Sequence, residues 1–366
     1  MDTNITNALS KIPDPRVINR CHHKLSDILF IALSTIICNG EDFEDMEEFG
    51  NQRYEWLKTI LELPNGIPSH DTFNRVLQKL EPDALSKLLA SEGELLLNTI
   101  KEKLICIDGK KTKGVSPKKK GNQGLYILSA WVSENSFCIG QKKVADKSNE
   151  ITAIPELIKE LDIKDAVISI DAIGCQKKIA EQIKEKKGDY LLSLKNNQKE
   201  SYQQVQEAFK FHKPNSYDEK TEKNHGRLEV RKCSIIQVEN LPIEERPQNW
   251  EGLETLVRIE SVRKTKEKEE RALRYYLSSE KEISPKYYNM LVRGHWAIEN
   301  HLHWHLDVTF NEDASRARVG YSQQNLNILR KVALQRITQM KDKLSKKKRR
   351  YRASLNNEYL KKILII

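Results

Sequence analysis

The sequence predicts a mixed α/β fold, in which an all-helical N-terminal region precedes a mixed sheet with flanking helices. Apolar residues recur at helical spacing through about the first hundred residues, and short apolar runs then alternate with amphipathic stretches. A charged, strand-rich segment separates this alternation from a final helical region. The 15 glycines and 11 prolines are scattered among 366 residues, so collagen-like and wholly disordered chains are excluded.

Residues 1–100 are predicted to form the helical domain. Residues 25–37 are a continuous apolar run of helical length. Further helices are expected from about residues 43, 56, 69 and 82, where apolar positions follow at three- and four-residue spacing. Ser69 is a suitable N-cap for the helix that begins beside it.

Five apolar runs predict the strands of one sheet. They lie at residues 104–108, 126–132, 136–143, 166–171 and 189–195. A short turn joins the second run to the third, so the first three can form an antiparallel meander. Amphipathic helices precede the last two runs, and such crossovers return a strand to the same sheet.

Residues 201–279 interrupt this alternation. Strand-like runs joined by charged, proline-containing connections predict a β-rich insertion. Helical spacing resumes at Pro285 and continues to about Met340. We therefore expect residues 101–200 and 280–340 to form one core around the insertion.

The positive charge is concentrated near the C-terminus. The chain has 62 Lys and Arg against 52 Asp and Glu, a formal net charge of +10. Residues 341–366 hold ten basic and two acidic side chains, which is most of that excess. We predict a basic C-terminal tail that contacts phosphate groups, with a solvated helix end as the alternative.

Cysteine spacing and hydropathy exclude other classes. The six cysteines are at least 17 residues apart and form no Cys-x-x-Cys, which disfavours a cysteine zinc site and is typical of a reducing compartment. The most apolar stretch, residues 28–38, is shorter than the roughly 20 residues of a membrane span, and no signal peptide is recognisable. We expect a cytoplasmic protein with a polyanionic partner and no membrane association.

Two aspartates end two of the predicted strands, Asp108 in CIDGK and Asp171 in SIDAIG. An acid at the end of a buried strand is costly unless it is paired. Mg²⁺ prefers oxygen ligands, and two such ions can activate water or a 3′-hydroxyl for phosphodiester displacement. The alternative is that each aspartate caps the turn that follows it.

The segment at residues 293–313 is the densest in functional side chains. On a helix, Glu299 and His303 would share a side with Trp296. Glu299 is expected to point inward, either as a third acid or as the partner of Arg293.

The histidines of this segment allow a rival metal site. His301 and His305 have a spacing that can bind zinc, but no His-Glu-x-x-His arrangement is present. Packing or phosphate contact is therefore favoured for them.

Several polar side chains are candidates for phosphate contact with a polyanionic partner, with ordinary turn and strand-edge roles as the alternative. Lys110 and Lys111 begin a lysine-rich loop, residues 110–124, directly after Asp108. No Walker A motif is present, so a nucleotide triphosphatase is not expected. The candidates are Lys110, Lys111, Lys195, Asn197, Gln198, His225, Arg227, Arg293, His303, Arg316 and Arg318.

Seven blocks resemble, in order, the transposases of H-repeat and ISAs-type insertion sequences, within the DDE transposases. They are CIDGK, VADKSNEITAIPELI, ISIDAIGCQ, GDYLLSLKNNQ, HGRLEVR, YYLSS and RGHWAIENHLHWHLDVTFNEDASRARVG. NGIPSHDTFNRV resembles the associated helical domain of the same family, and the resemblance spans about residues 13–340.

The resemblance implies an RNase H-like core with Asp108, Asp171 and Glu299 as catalytic and metal-binding acids. It implies Mg²⁺, or Mn²⁺ in its place, as cofactor and double-stranded DNA, both element ends and target, as partner. Cleavage and joining at terminal inverted repeats, DNA-end recognition by the N-terminal domain, a homodimer in the synaptic complex and a nucleoid-associated location follow as expectations. A two-metal nuclease without strand transfer and an inactive DNA-binding relic are the alternatives.

The chain departs from the related hairpin-forming transposases at one motif. These enzymes have a Tyr, Arg, Glu, Lys pattern with two, three and six residues between. Aligned on Glu299, this chain has Val292, His295 and Leu306 at the other positions. The phosphate-binding roles of that Tyr, Arg and Lys are therefore not transferred.

Overall fold

The strands that the structure describes form one mixed sheet. The computed structural model describes residues 5–17, 21–97, 103–113, 125–134, 136–144, 149–214, 216–224, 227–265 and 268–365. Within these ranges the strands are β1 (Lys103–Lys111), β2 (Tyr126–Val132), β3 (Phe137–Lys143), β4 (Ala166–Ile170), β5 (Asp189–Leu194), β6 (Ser216–Asn224), β7 (Arg227–Gln237), β8 (Thr255–Lys264) and β9 (Glu269–Ser278). Their order across the sheet is β3-β2-β1-β4-β5-β9-β8-β7-β6.

One half of the sheet follows the predicted connectivity. β1, β2 and β3 form an antiparallel meander, and β4 and β5 run parallel to β1. The crossover helices are α7 (Glu150–Glu160) and α8 (Lys177–Glu185). The predicted end of the first strand was wrong, because β1 continues to Lys111 and Asp108 lies inside it, opposite Ser129.

The other half of the sheet is the predicted β-rich insertion. β9 pairs with β5, and β8, β7 and β6 add to it in antiparallel order, so these strands extend the core sheet. β6 was not predicted, because its sequence SYDEKTEKN has almost no apolar residue. A helix before it, α9 (Lys199–Phe211), was also missed.

Helices cover both faces of this sheet. One face packs on α7, α8 and α9. The other face shares a core with helices from both ends of the chain. The N-terminal helices are α1 (Ile5–Ser10), α2 (Leu25–Ile37), α3 (Phe43–Gln52), α4 (Tyr54–Leu57), α5 (His70–Lys79) and α6 (Pro82–Leu97). The C-terminal helices are α10 (Pro285–Ile298), α11 (Ser322–Gln339), α12 (Lys346–Leu355) and α13 (Asn357–Ile365).

The basic C-terminal segment is folded and does not form a free tail. Arg349 and Arg350 of α12 are buried. The Arg350 guanidinium donates to the Ile36 carbonyl at 2.8 Å, at the end of α2. All six cysteines are unpaired. Among the described helices, none combines the length and apolarity that crossing a bilayer requires.

Candidate active site

Asp108 lies in β1, and Asp171 directly follows the neighbouring parallel strand β4. In the β1–β4 register Ile107 is opposite Ile170, so the two aspartates follow at the same level. The Asp171 carboxylate accepts a hydrogen bond from the Ile173 amide at 3.1 Å. Burial, together with the charges of Glu299 and Asp171, raises the pKa of Asp108 to about 6. The backbone therefore places the two acids at the same level of neighbouring strands.

Glu299 lies where the helix that follows the insertion changes from α-helical to π-helical. α10 continues into two π-helical turns, Glu299–His303 and His305–Thr309, and the Trp304 amide donates to the Glu299 carbonyl. Turns of this kind occur frequently at functional sites. Upstream, a Cβ on Gly294 would lie 2.3 Å from Leu104 Cδ2, so glycine permits the close approach of α10 to β1.

His303 brings the acids of the strand and the helix together. Its Nδ1 is 3.5 Å from Asp108 Oδ2 and 3.4 Å from Glu299 Oε2. One ligand atom from each of the three residues lies within 4.8 Å of the others, and among the described residues this is the group that offers three potential metal ligands. The neighbouring His303 ring lowers the pKa of Glu299.

The predicted inward direction of Glu299 was wrong. Its side chain is 56% exposed, whereas that of His303 is 7% exposed. The carboxylate faces a groove that opens beside the helix. The carboxylate is therefore exposed at the groove, whereas the His303 side chain is buried.

His301 and His305 have separate partners. The His301 ring stacks on Trp131 with centroids 6.2 Å apart. His305 Nδ1 is 2.8 Å from Thr309 Oγ1, and its Nε2 is 3.3 Å from Lys346 Nζ. These contacts are packing and hydrogen bonds, and they do not support the zinc alternative.

Lys110, a predicted phosphate contact, is held by carboxylates in the free protein. Its Nζ is 2.6 Å from Asp307 Oδ1 and 3.0 Å from Glu312 Oε2. Burial acts against the charge of Glu312, but Lys110, Arg330 and Asn327 outweigh it and lower the pKa of Glu312. Sequence reasoning missed this network, because its members are up to about two hundred residues apart.

Two other predicted residues support the loop after Asp171. The Asn197 amide donates to the Ala172 carbonyl at 2.6 Å, and the Gln198 amide donates to the Cys175 carbonyl at 3.0 Å. Lys195 is exposed beside them. The end of β5 therefore fixes the loop that carries the second aspartate.

The remaining predicted contacts are dispersed. Lys111 is exposed at the end of β1, and Arg316 and Arg318 are exposed before α11. His225, the Arg227 side chain and residues 114–124 of the lysine-rich loop lie outside the described residues. Their predicted roles stay predictions.

A groove of about 590 Å³ runs between the strands β7–β9 and α10, and Glu299 is at its edge. Arginines from both sides line it. They are Arg231, Arg263, Arg274 and Arg293, and the acids Glu229 and Glu270 also line the groove. Arg274 lies over the half-exposed Trp296 ring, 5.4 Å from its centroid. Arg263 and Arg274 were not predicted, because in sequence they do not differ from ordinary solvent-facing strand residues.

A fourth acid, Glu150, was also missed. It begins α7, and its carboxylate accepts a hydrogen bond from the Tyr126 hydroxyl. Burial, with the charges of Asp171 and Asp108, raises the pKa of Glu150 to about 7. The sequence signal was its position directly after a helix-capping asparagine, which does not indicate proximity to the aspartates.

Comparison with known families identifies the class of protein. The model of the transposase DDE domain matches residues 99–336, and that of the DDE_Tnp_1-associated domain matches residues 6–91. The chain belongs to this family of DDE transposases, and its resemblance to the H-repeat transposases is confirmed. It is an enzyme that cleaves and transfers DNA.

Individual relatives cover nearly the whole chain. "Putative transposase YncI" of Escherichia coli O157:H7 is 38% identical over 97% of this chain and 93% of its own length. "H repeat-associated putative transposase YhhI" of Escherichia coli K12 is 35% identical over 97% and 96%. Among solved structures, the piggyBac transposase synaptic complex with hairpin DNA matches at a TM-score of 0.41 and 13% identity, covering 98% of this chain and 78% of that one.

The DDE domain implies a divalent metal ion, and the residues present fit one. Asp108 and Glu299 offer carboxylate oxygens and His303 offers an imidazole nitrogen, all within one ligand sphere. Asp171 follows the adjacent strand at the level of Asp108, but it is not a member of this group of ligand atoms. These donors are of the kinds that bind divalent cations in proteins.

Proposed function

We propose that this transposase cleaves and joins DNA at the terminal inverted repeats of an insertion sequence, using two-metal-ion chemistry. Asp108, Asp171 and Glu299 are its catalytic acids and metal ligands, with Mg²⁺ or Mn²⁺ as the ion. The observation that carries the proposal is the arrangement of the acids. Asp108 and Asp171 lie at the same level of neighbouring strands, and Asp108 and Glu299 both lie close to His303. An antiparallel meander followed by two parallel strands supports an RNase H-like core.

The residues around the acids have supporting roles in this proposal. When bound, the metal ions supply Lewis acidity and a reactive hydroxyl. Asn197 and Gln198 keep the Asp171 loop in place, so that its carboxylate stays level with Asp108. Lys110 anchors β1 to the end of the π-helical segment and limits the movement of Asp108 relative to Glu299.

The arginine-lined groove is the path we propose for the DNA strand. It leads to Glu299, and guanidinium groups bind phosphates in a bidentate manner. An exposed tryptophan under Arg274 adds a surface on which a base can stack.

The organisation of the whole enzyme is proposed on the same basis. The family models, which meet between residues 91 and 99, support a division into an N-terminal domain for DNA-end recognition and a catalytic core. A homodimer in the synaptic complex and a cytoplasmic, nucleoid-associated location are consistent with a reaction that joins two DNA ends.

The acids provide the direct test. Asp108→Asn, Asp171→Asn and Glu299→Gln are each expected to reduce cleavage of a repeat-end DNA by several orders of magnitude, because a metal ligand is lost. DNA binding should persist, and stabilisation by Mg²⁺ should shrink. Glu181→Gln, an exposed change on α8, is the control and should retain activity.

Product mapping separates the parts of the proposal. Joined products that form only with the element's own ends support end-specific transposition. Equal cleavage of scrambled ends would overturn the inverted-repeat specificity, and near-normal cleavage by either aspartate variant would overturn the two-metal assignment. Near-normal cleavage by Glu299→Gln would mean that another residue is the third ligand, and Asp307 is the next acid along the helix.

A further inference from the structure

We propose that His303 is a metal ligand, and that it gives this DDE centre a nitrogen donor beside its carboxylates. The inference rests on the proposed metal-dependent function. It adds a residue to the Asp108, Asp171 and Glu299 set, and it assigns His303 a role other than the phosphate contact predicted from the sequence.

The distances around Nδ1 match the edges of a coordination sphere. Ligand atoms about 2.1 Å from one ion, at angles between octahedral and tetrahedral, are roughly 3.0–3.5 Å apart. His303 Nδ1 lies 3.5 Å from Asp108 Oδ2 and 3.4 Å from Glu299 Oε2. Both separations exceed the usual length of a hydrogen bond, about 2.7–3.2 Å. The two carboxylate oxygens lie within 4.8 Å of each other, so one cation between these atoms would contact all three once the carboxylates move towards it.

The burial of the ring supports the same role. The His303 side chain is 7% exposed, and its Nε2 is buried with no hydrogen-bond partner. An unpaired buried polar atom costs free energy. The ring is nevertheless oriented so that its other nitrogen, Nδ1, points at the two acids. The backbone of the π-helical turn Glu299–His303 places the ring in this orientation.

A nitrogen donor changes which ion the site prefers. Mg²⁺ favours an all-oxygen shell and keeps several waters, whereas imidazole suits transition metals. We therefore expect the full-length protein to bind Mn²⁺ more tightly than Mg²⁺, and the difference to shrink in His303→Gln.

The test measures Mn²⁺ on the full-length protein without DNA. Pulsed electron paramagnetic resonance should detect ¹⁴N coupling from a directly bound imidazole in the wild type. In His303→Gln the coupling should disappear, and Mn²⁺ affinity should fall about tenfold or more. His301→Gln, on the same helix but stacked on Trp131, should keep the ¹⁴N signal. Circular dichroism checks that both variants fold.

The outcomes separate this inference from the proposed function. Bound Mn²⁺ without ¹⁴N coupling, coupling that persists in His303→Gln, or the absence of Mn²⁺ binding would each overturn the ligand role. If DNA ends are cleaved and joined in those cases, the proposed function stands without it. A ¹⁴N signal in a protein that cleaves no repeat end would leave the ligand assignment intact and remove the proposed function.

Discussion

Lys110 connects the strand of Asp108 to the segment that follows Glu299. It lies two residues after Asp108 in β1, so both side chains are on the same face of the sheet. Its ammonium group is shared by Asp307, the fully buried Glu312 and Asp313. Lys110 is therefore the nearest cation to the buried Glu312 carboxylate, with Arg330 farther away at 3.8 Å.

Removal of Lys110 is expected to be costly for stability. Lys110→Met leaves the buried Glu312 with the Asn327 amide and the more distant Arg330, 3.8 Å away, so we expect a loss of about 3 kcal/mol in the free energy of unfolding. The measurement is urea denaturation. In the double variant with Glu312→Gln the loss should be smaller than the sum of the single losses. A loss below about 0.5 kcal/mol in Lys110→Met would contradict the structural role.

Glu150 gives a pH-dependent prediction. Its folded pKa is raised from 4.5 to about 7, so its contribution to stability is complete below pH 4.5 and is lost as the pH rises through 7. Glu150→Gln removes that loss, while its amide oxygen still accepts from Tyr126. We expect the variant to be more stable than the wild type near pH 8, by about 1 kcal/mol after allowance for partial exposure, and equal to it near pH 4.

Thermal unfolding at the two pH values tests this prediction. Glu156→Gln, an exposed change on the same helix, should have the same small effect at both. A Glu150→Gln variant that is less stable at high pH would mean that the carboxylate is paired in the folded protein.

Sequence reasoning was strongest for residues whose signal is local. Asp108 and Asp171 were found because each follows a short apolar run, which indicates both a strand and an edge of the sheet. Glu299 was singled out, but its exposure was not predicted. The groove beside it is formed by its own helix and by strands about 25 to 70 residues earlier in the chain. The contact of His303 with Asp108 joins positions 195 residues apart, and no spacing within one helix predicts it.

Among the secondary-structure elements, the polar strand β6 and the π-helical turns were not predicted. β6 exists because nine consecutive residues pair with β7, and pairing of the backbone does not depend on apolar side chains. The π-helical turns after α10 were not predicted, because their distinguishing feature is a backbone hydrogen bond from residue i+5 to residue i. Apolar helices such as α2 were predicted with correct bounds.

α12 has two faces with different expected roles. Arg350 is buried, donates to carbonyls of Ile36 and Thr309, and lies over the Phe310 ring. Lys347, Lys348 and Arg352 are exposed. The first face fastens the C-terminal segment to the fold, and the second remains available for phosphates.

Variants of the two faces should therefore behave differently. Arg350→Gln is expected to lower the free energy of unfolding by about 2 kcal/mol, because buried carbonyls lose their donors. The triple change of Lys347, Lys348 and Arg352 to Gln should leave stability nearly unchanged. It should reduce the slope of log affinity against log salt by about 0.9 for each phosphate that the variant no longer neutralises. An unchanged slope would mean that the exposed face of α12 is only solvated and does not contact DNA phosphates.

Across the whole molecule, α11 joins the N-terminal helices to the catalytic sheet. It contacts α2, α5 and α6 on one side and β3 on another. The Asn325 amide donates to the Leu77 and Leu80 carbonyls at 2.8 Å each, and Lys331 donates to Ser129 and Gln141 inside the sheet. The two matched family regions therefore share one core, although their models meet between residues 91 and 99.

This shared core makes a prediction about truncation. A chain of residues 98–366 would expose the apolar surface of α11 and β3 that α2, α5 and α6 now cover, and a large exposed apolar patch promotes aggregation. We expect the fragment to be insoluble or partly unfolded, and the full-length protein to unfold in one transition. Hydrogen exchange should give similar protection in α2 and α11 if they open together. The prediction would be wrong if the fragment were soluble with native circular dichroism, or if the N-terminal helices unfolded in a separate early transition. Either result would mean that the catalytic half folds alone. A loss of DNA-end preference in such a fragment could then be assigned to the missing helices.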